Sequence, residues 1–467
     1  MSTSRALMAL LAVVVVAAGM AACGNVTTTT STAGNTDGVF PHKIVLGGLA
    51  SLTGPLPADF APAFAGVRAY LDMVNAEGGV NGRRLDFAYP LDDQSSPTVD
   101  ASQARALVDQ YHVFAVVGVA TPSFSGASFL ASHDVPTFGY DVNPNSQWLA
   151  GPSLFGSTGS YTDFTAPQLQ AVYLAEKHHV KSAAVLAYDI SESQQGCEGV
   201  VNGFHRYWIP IAVEDMSIPA PATNLYSDVA RMRAAGVGMV VSCLDVGGNV
   251  LLSDTMHQEG MSGVTQLWFD GYDQRDLEQF PVAMDGVYFL LQQVPFEVAK
   301  LDPGVYPGMD EFVSMLQRYE PGSLPSVAAL AGWTSAALFV KGLRLIGHDV
   351  TRTRLVAALN RITDFTADGV MPPVDWRTGH DRVNGPTNCS AFVQVQGDRF
   401  VPVYGTPPSV LSCFPVPPPA KGPIARVVPL PAGVPPLGTR GSSQAGEPTT
   451  TKSATARPSD ARAVSGA

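Results

Sequence analysis

The sequence has few charged residues, and basic residues are the scarcer kind. Of 467 residues 15% are charged, and 28 Lys and Arg stand against 40 Asp and Glu, which gives a formal net charge of −12. A nucleic-acid binder needs a basic surface, so we expect no nucleic-acid partner. The hydrophobic share of 46% is enough for a sizeable core and excludes a chain that is disordered throughout.

Sequence motifs of common catalytic and metal sites are also missing. The chain contains no G-x-S-x-G, no G-x-x-x-x-G-K-[ST] and no H-E-x-x-H, and its five Cys show no C-x-x-C spacing. Asp92 and Asp93 could imitate a pair of catalytic carboxylates. Adjacent residues on an extended segment point to opposite sides, however, and are poorly placed to share a substrate. We therefore expect no catalysis, no metal site and no cofactor.

The N-terminus has the pattern of an export signal. Arg5 precedes an apolar run over residues 6–18, and small residues then lead to Cys23. A membrane-spanning helix needs about 20 apolar residues, more than this run supplies. The ending Met20-Ala21-Ala22-Cys23 resembles a bacterial lipobox, whose Cys carries a diacylglyceryl group. We predict a signal peptide over residues 1–22, lipidation of Cys23, and a flexible tether over residues 23–42.

The C-terminus has a composition that cannot build a core. Residues 415–436 hold nine prolines, and residues 438–467 are rich in Gly, Ser, Thr and Ala. We predict a disordered tail over residues 415–467 and an ordered body over residues 40–414.

Within the body, nearly continuous apolar runs alternate with amphipathic stretches. The predicted strands are 44–49, 85–90, 114–119, 136–140, 183–188, 239–244, 266–269 and 287–291, followed by a hairpin over 391–395 and 399–404. The predicted helices are 61–77, 100–111, 125–132, 164–178, 199–208, 226–235, 249–259 and 326–347. This alternation predicts α/β architecture with doubly wound parallel sheets covered on both faces.

Polar residues follow the predicted strands at their carboxyl ends, where ligands bind in such sheets. Capping of the following helix is the alternative role for each of them, because Ser, Thr and Asp are preferred caps. We expect some of the set to face a common cleft. The set is Ser51, Thr53, Thr121, Ser123, Ser125, Asp141, Asp189, Asp245 and Asp270.

A further pattern surrounds the first predicted helix. Leu-Thr-Gly at residues 52–54 precedes it, and Asn-Ala-Glu-Gly-Gly-Val-Asn-Gly at residues 75–82 follows it. This pattern resembles the leucine/isoleucine/valine-binding protein family, the type I substrate-binding proteins of ABC importers, and the resemblance covers nearly all of residues 43–404. It implies two doubly wound α/β lobes joined by three hinge crossovers and closing on a small solute. The implied lobes are 43–160 plus 297–385, and 161–296 plus 386–414.

The resemblance also implies where a ligand binds. In amino-acid-binding relatives a loop of the first lobe holds the ligand carboxylate, and here that loop is residues 121–126, with Ser123 and Ser125 as the best matches. Tyr140 and Asp141 stand in the next loop, where the family has a small residue and a Thr. From the second lobe, Gln195 replaces an aromatic residue.

Acidic residues indicate the class of ligand. Asp245 is the acid nearest to the family's acidic position, about three residues early. With Asp141 and Asp189 in the same cleft, buried carboxylates would favour a ligand that carries an ammonium group or several N–H donors. We therefore expect an amino acid, an amide or a related amine-bearing compound, with Tyr140 covering its apolar part.

If Cys23 carries lipid, four Cys remain, and an even number in an exported chain predicts two disulfides with three formal connectivities. We pair Cys197 with Cys243, near the carboxyl ends of successive strands of the second lobe, and Cys389 with Cys413, which flank the hairpin. The alternative for Cys243 is a buried free thiol.

The expected function is that of an extracytoplasmic substrate-binding lipoprotein of an ABC importer. Its expected partners are a small-molecule ligand, the permease subunits of the transporter, and the outer face of the cytoplasmic membrane through the lipid anchor alone. We expect a monomer. A ligand-sensing protein of the same fold without transport is one alternative, and a secreted hydrolase, for which the sequence offers no nucleophile and base, is another.

Overall fold

The computed structural model describes residues 35–142, 145–160, 164–380, 389–405 and 409–414. The predicted signal peptide, the predicted lipidation site Cys23 and the predicted Pro-rich tail all lie outside the described residues.

The first sheet is parallel throughout and has the strand order β2-β1-β3-β4-β5. Its strands are β1 Lys43–Ala50, β2 Arg84–Asp92, β3 Ala115–Val119, β4 Thr137–Gly139 and β5 Leu154–Gly156. All of β3 and all of β1 after its first residue are buried. Such continuous burial is expected for strands that are covered by helices on both faces.

The second sheet has the order β12-β11-β10-β9-β8-β6-β7, and a short strand, β13, pairs with β11. The parallel strands are β6 Ala183–Tyr188, β7 Ile211–Ile218, β8 Met239–Cys243, β9 Thr265–Trp268 and β10 Tyr288–Leu291. The antiparallel strands are β11 Cys389–Gln396, β12 Arg399–Val403 and β13 Ser412–Cys413.

Helices cover both sheets. In the part that precedes β6 they are α1 Pro57–Phe60, α2 Ala63–Ala76, α3 Pro97–Arg105, α4 Ala127–Ser132, α5 Asn145–Trp148 and α6 Leu169–Lys177. Between β6 and β10 they are α7 Ser191–Arg206, α8 Tyr226–Ala234, α9 Val246–Gln258, α10 Gln274–Gln279 and α11 Pro281–Met284. After β10 they are α12 Val298–Leu301, α13 Pro307–Tyr319, α14 Val327–Ile346 and α15 Arg352–Leu359. A π-helical turn, Ala106–Gln110, continues α3.

The two sheets with their helices form two α/β lobes, as the sequence predicts. Lobe I is built on the first sheet and lobe II on the second. The chain passes to lobe II between β5 and β6, returns after β10 so that α14 packs on β3 and β4, and passes again to lobe II between α15 and β11. The three passages agree with the predicted crossovers, and the third includes residues 381–388, which are not described.

Helix α14 is long and apolar enough to cross a membrane by length and composition, but 78% of its most apolar window is buried inside the protein. This burial is expected for a core helix. Two glycines let α14 cross α2 at very short range. A Cβ atom on Gly66 would lie 1.8 Å from the Ala329 carbonyl oxygen, and one on Gly332 would lie 1.9 Å from the Ala63 carbonyl oxygen. The helix backbones therefore touch at this crossing.

The sequence signature at residues 75–82 has a structural role. The Asn75 side chain donates to the Leu85 carbonyl and accepts from the Leu85 N–H, both at 2.8 Å. Gly78 and Gly79 adopt positive φ values of 102° and 76° as α2 ends. Asn81, also at positive φ, donates to the Gly347 carbonyl at 2.8 Å. The signature therefore joins α2, β2 and the end of α14.

All the predicted strands are present, but the edge strands β5 and β7 and the short strand β13 were missed. In β7 polar residues alternate with apolar ones and only part of the strand is buried, which hid it from a search for apolar runs. The predicted start of the helix at residue 199 is wrong, because α7 begins at Ser191. The first turns of α7 were not predicted because they contain polar residues and Gly196. Both predicted disulfides, Cys197–Cys243 and Cys389–Cys413, are formed.

Candidate functional site

The carboxyl ends of parallel strands meet at one edge of each sheet, and the predicted polar residues lie there. In lobe I the first two follow β1. The Ser51 hydroxyl donates to Asp93 at 2.5 Å, and the Thr53 hydroxyl donates to Asp92 at 2.6 Å. Burial disfavours the charge of Asp92, but bonds from Thr53 and from backbone N–H groups hold its pKa below the usual value. Ser51 and Thr53 thus bind carboxylates of their own lobe.

The loop of residues 121–126 follows β3 and brings two hydroxyl groups together. The Ser123 and Ser125 Oγ atoms are 3.1 Å apart, and the Ser123 N–H donates to the Thr121 hydroxyl at 3.3 Å. Phe124 is buried against Trp148 and anchors the loop. Ser125 is exposed and Ser123 is half-buried. The loop can therefore offer hydroxyl groups to a ligand oxygen.

Asp141 joins two loops of lobe I. Its carboxylate accepts the Ser157 hydroxyl at 2.6 Å, the Thr158 hydroxyl at 2.7 Å and the Thr158 N–H at 3.1 Å. Burial raises the pKa of Asp141, and these hydrogen bonds oppose the rise. Its lone pairs are used within the protein, so Asp141 holds the loop after β5 to the loop after β4.

Tyr140 lies between the lobes. Its ring packs beside the apolar cluster that contains Phe60. Burial raises the pKa of Tyr140, and the charges of Asp270, Asp141 and Asp59 raise it further. Asp270 belongs to lobe II and Asp59 to lobe I, so both lobes contribute carboxyl groups to the surroundings of this ring.

In lobe II, Asp245 caps α9 and also receives a hydrogen bond from a tyrosine. One oxygen, Oδ1, accepts the Gly248 N–H at 2.8 Å and the Tyr188 hydroxyl at 2.6 Å. The capping role, which the sequence offers as an alternative for Asp245, is present in the structure.

Asp270 follows β9 and accepts the N–H of Gly271 at 2.8 Å. Burial raises its pKa well above the usual value, and the charges of Asp59, Asp276 and Asp245 act in the same direction. A cation placed beside this carboxyl group would favour its ionised form.

Two predicted residues of lobe II make hydrogen bonds with helix α7. Asp189 is exposed and accepts a hydrogen bond from Gln194 at 3.1 Å. Gln195 donates to the Ser191 hydroxyl at 2.9 Å on the first turn of α7. The hydrogen bonds of both side chains therefore go to residues of α7.

Asp59, which the sequence analysis missed, faces lobe II from helix α1 of lobe I. Burial raises its pKa to about 6, with further contributions from Asp245 and Asp273, while Arg275 acts in the opposite direction. The local signal was Pro57, which is favoured in the first turn of a helix and predicts that a short helix begins just before Asp59.

The inter-lobe group carries an excess of negative charge. Arg275 contributes a cation, but it binds Asp273 through two bonds of 2.6 and 3.1 Å. Asp276 lies next to them, and burial together with Asp273 raises its pKa to about 6. We call the five carboxyl groups the acidic cleft, which consists of Asp59, Asp245, Asp270, Asp273 and Asp276.

The two-lobed architecture agrees with a comparison of sequences. Residues 43–399 match the sequence profile of the periplasmic binding proteins. The chain belongs to the periplasmic binding protein family. No curated protein matches it significantly. Members of this family bind solutes, so the chain is a periplasmic binding protein with a solute-binding role.

Solved structures share the fold of this periplasmic binding protein at low identity. The branched-chain amino acid transporter substrate-binding protein LivJ from Streptococcus pneumoniae, in complex with isoleucine, is 17% identical with a TM-score of 0.64, over 77% of this chain and 97% of that chain. A solute-binding protein of an ABC transporter from R. palustris, in complex with benzoate, is 17% identical with a TM-score of 0.62, over 77% and 95%. A fatty acid ABC transporter substrate-binding protein from Thermomonospora curvata is 16% identical with a TM-score of 0.63, over 79% and 92%. At this identity the likeness shows the fold alone.

Proposed function

We propose that this periplasmic binding protein is the lipid-anchored, extracytoplasmic substrate-binding component of an ABC importer. We further propose that it captures a small amine-bearing solute between its lobes and catalyses no reaction. The family supports solute binding, and two similar structures come from proteins described as parts of ABC transporters. The lipobox-like sequence at Cys23 supports the anchor on the outer face of the cytoplasmic membrane.

The observation that carries the ligand class is the opposition of Asp59 on lobe I to Asp245 and Asp270 on lobe II. Each lobe brings carboxyl groups to the cleft, and their mutual repulsion contributes to the raised pKa values of Asp59 and Asp270. A ligand cation between the lobes would reverse this effect, because an opposite charge nearby favours the ionised form of a carboxyl group.

The same opposition couples binding to lobe closure. Closing the lobes without a ligand brings like charges together and leaves them poorly solvated, which is unfavourable. In the closed state a bound ammonium group would attract carboxyl groups of both lobes. In the open state it would attract fewer of them. A ligand shifts such an equilibrium by its difference in affinity for the two states, so an amine would favour closure and a neutral sugar would not.

The rest of the ligand would lie against lobe I. We assign Ser123 and Ser125 to a carboxylate or amide oxygen, and Tyr140 to the apolar part of the solute. The proximity of the two hydroxyl groups and the position of the Tyr140 ring between the lobes support these roles. Hydrogen bonds to charged groups contribute about 1.5–3 kcal/mol each.

Other predicted contacts receive supporting roles. Ser51, Thr53 and Asp141 make short bonds within lobe I, so we assign them to holding the loops in place. Thr121 orders the loop of residues 121–126. Asp189 and Gln195 are outside the acidic cleft, and we propose no ligand contact for them.

Calorimetry of the purified protein against a panel of compounds tests the proposal. The panel contains amino acids, amides, diamines and neutral sugars of similar size, and we expect binding only by compounds with a protonated amine. Uncharged analogues that lack the amine serve as matched controls. Binding confined to neutral sugars or to apolar acids would contradict the proposed ligand class, while the family and the fold would be unaffected.

A further inference from the structure

Two aspartates lie fully buried beneath the loop of residues 121–126. Asp93 follows β2 and Asp100 lies on α3, and both side chains are 0% exposed. One oxygen of each is used by neighbours. Asp93 Oδ1 accepts the Ser51 hydroxyl at 2.5 Å and the Ser95 N–H at 2.8 Å. Asp100 Oδ1 accepts the Gly126 N–H at 2.6 Å. The two carboxyl groups therefore tie together the loops that follow β1, β2 and β3.

The second oxygen of each carboxyl group is buried and receives no hydrogen from any described residue. The charge of Asp93 and a hydrogen bond with its side chain both help to raise the pKa of Asp100. If both were ionised, two buried oxygens that receive no hydrogen bond would carry like charge under the same loop, which is strongly unfavourable. A single proton between them removes the repulsion and turns the contact into a hydrogen bond, as occurs in other carboxyl pairs that share a site.

The neighbouring charged groups do not neutralise the two carboxyl groups in place of that proton. Asp92, next to Asp93, is bound to Thr53 and to the Leu52 N–H. Arg105, on the same helix as Asp100, has its guanidinium 4.6 Å from the centre of the Phe129 ring. Burial raises the pKa of Asp100 to about 8, with Asp93 as its further charged cause. Asp100 therefore carries the proton at neutral pH.

We propose that Asp93 and Asp100 share one proton and that this proton positions the loop of residues 121–126. The two aspartates are positioning residues, because they act on the loop and not on a ligand. The loop lies directly on α3 at this point. A Cβ atom on Gly126 would be 2.3 Å from the Cβ atom of Ala104, so the loop has no room to shift inward when its Asp100 bond weakens.

The sign of the pH dependence follows from the proton. The folded state keeps a proton on Asp100 that the unfolded chain releases near the ordinary pKa of 3.8. The stabilising contribution is therefore complete below about pH 4, and it is lost as the pH rises through about 8. Above that value Asp100 is ionised, and the Gly126 N–H should open more often.

Variants in which Asn replaces Asp test how many hydrogen-bond donors the contact between residues 93 and 100 requires. In Asp100→Asn the side-chain N–H donates to Asp93 Oδ2, and the amide oxygen still accepts from Gly126. Asp93→Asn supplies one donor in the same way, to Asp100. The double variant Asp93→Asn with Asp100→Asn places two donors at the contact and no acceptor. A variant with one donor at the contact should keep the loop in place, and the variant with two donors should not.

Hydrogen exchange of the peptide that contains Gly126, followed by mass spectrometry and corrected for intrinsic rates, measures the opening of the loop. We expect wild-type protection to fall at least about tenfold between pH 6 and pH 9, since one pH unit beyond a pKa is a tenfold change in protonation. In Asp100→Asn protection should stay at the wild-type pH 6 level throughout. The double variant should lose more protection than the two single variants together.

Three results would overturn the proposal. The first is an Asp100→Asn protein whose protection falls with pH as in wild type. The second is failure of both single amide variants to fold, since each retains one donor. The third is recovery of wild-type protection at pH 9 by added calcium chloride, which would make a cation, not a proton, the group that joins the two carboxylates.

Discussion

Tyr188 donates its hydroxyl hydrogen to Asp245 Oδ1 at 2.6 Å, and the same oxygen accepts the N–H of Gly248. Burial raises the pKa of Tyr188, with Asp245 as the next cause, so the phenol remains a donor at physiological pH. The carboxylate is thereby fixed in one orientation at the first turn of α9. The charge of Asp245 acts across the cleft on Asp59 of lobe I, whose pKa it helps to raise.

The acidic cleft should make the unliganded protein less stable as the pH rises. Burial raises the pKa of Asp59 and of Asp276 to about 6 from 3.8, so the folded state binds more protons than the unfolded state between these values. Stability is then lost as the pH rises through about 6. Above pH 6 the free energy of unfolding of Asp59→Asn should exceed that of wild type by on the order of 1 kcal/mol, after allowance for partial exposure.

Urea unfolding at a series of pH values measures this gain. Asp254→Asn is the matched control, because Asp254 is exposed on α9. A gain of equal size in the control, or a gain that appears only below pH 4, would argue against repulsion in the cleft.

Both disulfides should stabilise the body. The loops they close span 46 and 24 residues, for which chain entropy gives roughly 3–4 kcal/mol each. Cys243→Ser and Cys389→Ser should therefore lower the free energy of unfolding by up to that amount. Peptide mapping without reductant should find Cys197–Cys243 and Cys389–Cys413, and a crossed link such as Cys197–Cys389 would contradict the structure.

The crossing of α2 and α14 should not tolerate a methyl group. In Gly66→Ala the new Cβ atom would collide with the backbone of Ala329, which cannot rotate away as a side chain could. We expect a loss of about 1–3 kcal/mol or more in the free energy of unfolding. Gly263→Ala is the control, because no atom lies within 4 Å of its added Cβ, and its effect should stay within about 0.5 kcal/mol. Equal effects in the two variants would refute the close crossing.

The membrane anchor should depend on Cys23. A single acyl chain holds a protein weakly, at about 0.8 kcal/mol per buried CH₂, whereas a diacylglyceryl group gives stable attachment. Cys23→Ala should leave the precursor uncleaved or release the protein from the membrane, as immunoblots of membrane and soluble fractions would show. Normal cleavage together with normal membrane attachment would refute lipidation.

The fold could be predicted because its strands are buried on both faces and therefore read as apolar runs. The sequence 115–119 has no polar side chain, and every residue of β3 is buried. The edge strand β7 was not predicted because one side of it is exposed and its polar and apolar residues alternate, as in a surface segment. The disulfides could be predicted because neighbouring strand ends limit which Cys can meet.

The site could be predicted only in part. A polar residue after a strand indicates a position at the sheet edge, and Tyr140, Asp245 and Asp270 do follow β4, β8 and β9. Nothing local shows which residues of the other lobe they face, and Asp59 was missed for that reason. The contact of Asp93 with Asp100 likewise depends on how α3 packs under two other loops, which the sequence pattern does not encode.

The most direct test of the central claim is a calorimetric comparison of Asp59→Asn with wild type. The titrant is the strongest amine-bearing binder from the panel, at pH 7.5, where Asp59 is ionised. Loss of one charged contact should weaken binding about tenfold to a hundredfold, since 1.4 kcal/mol is one decade, while Asp254→Asn should bind as wild type does. Equal affinities in wild type and Asp59→Asn would contradict a cation held between the two lobes.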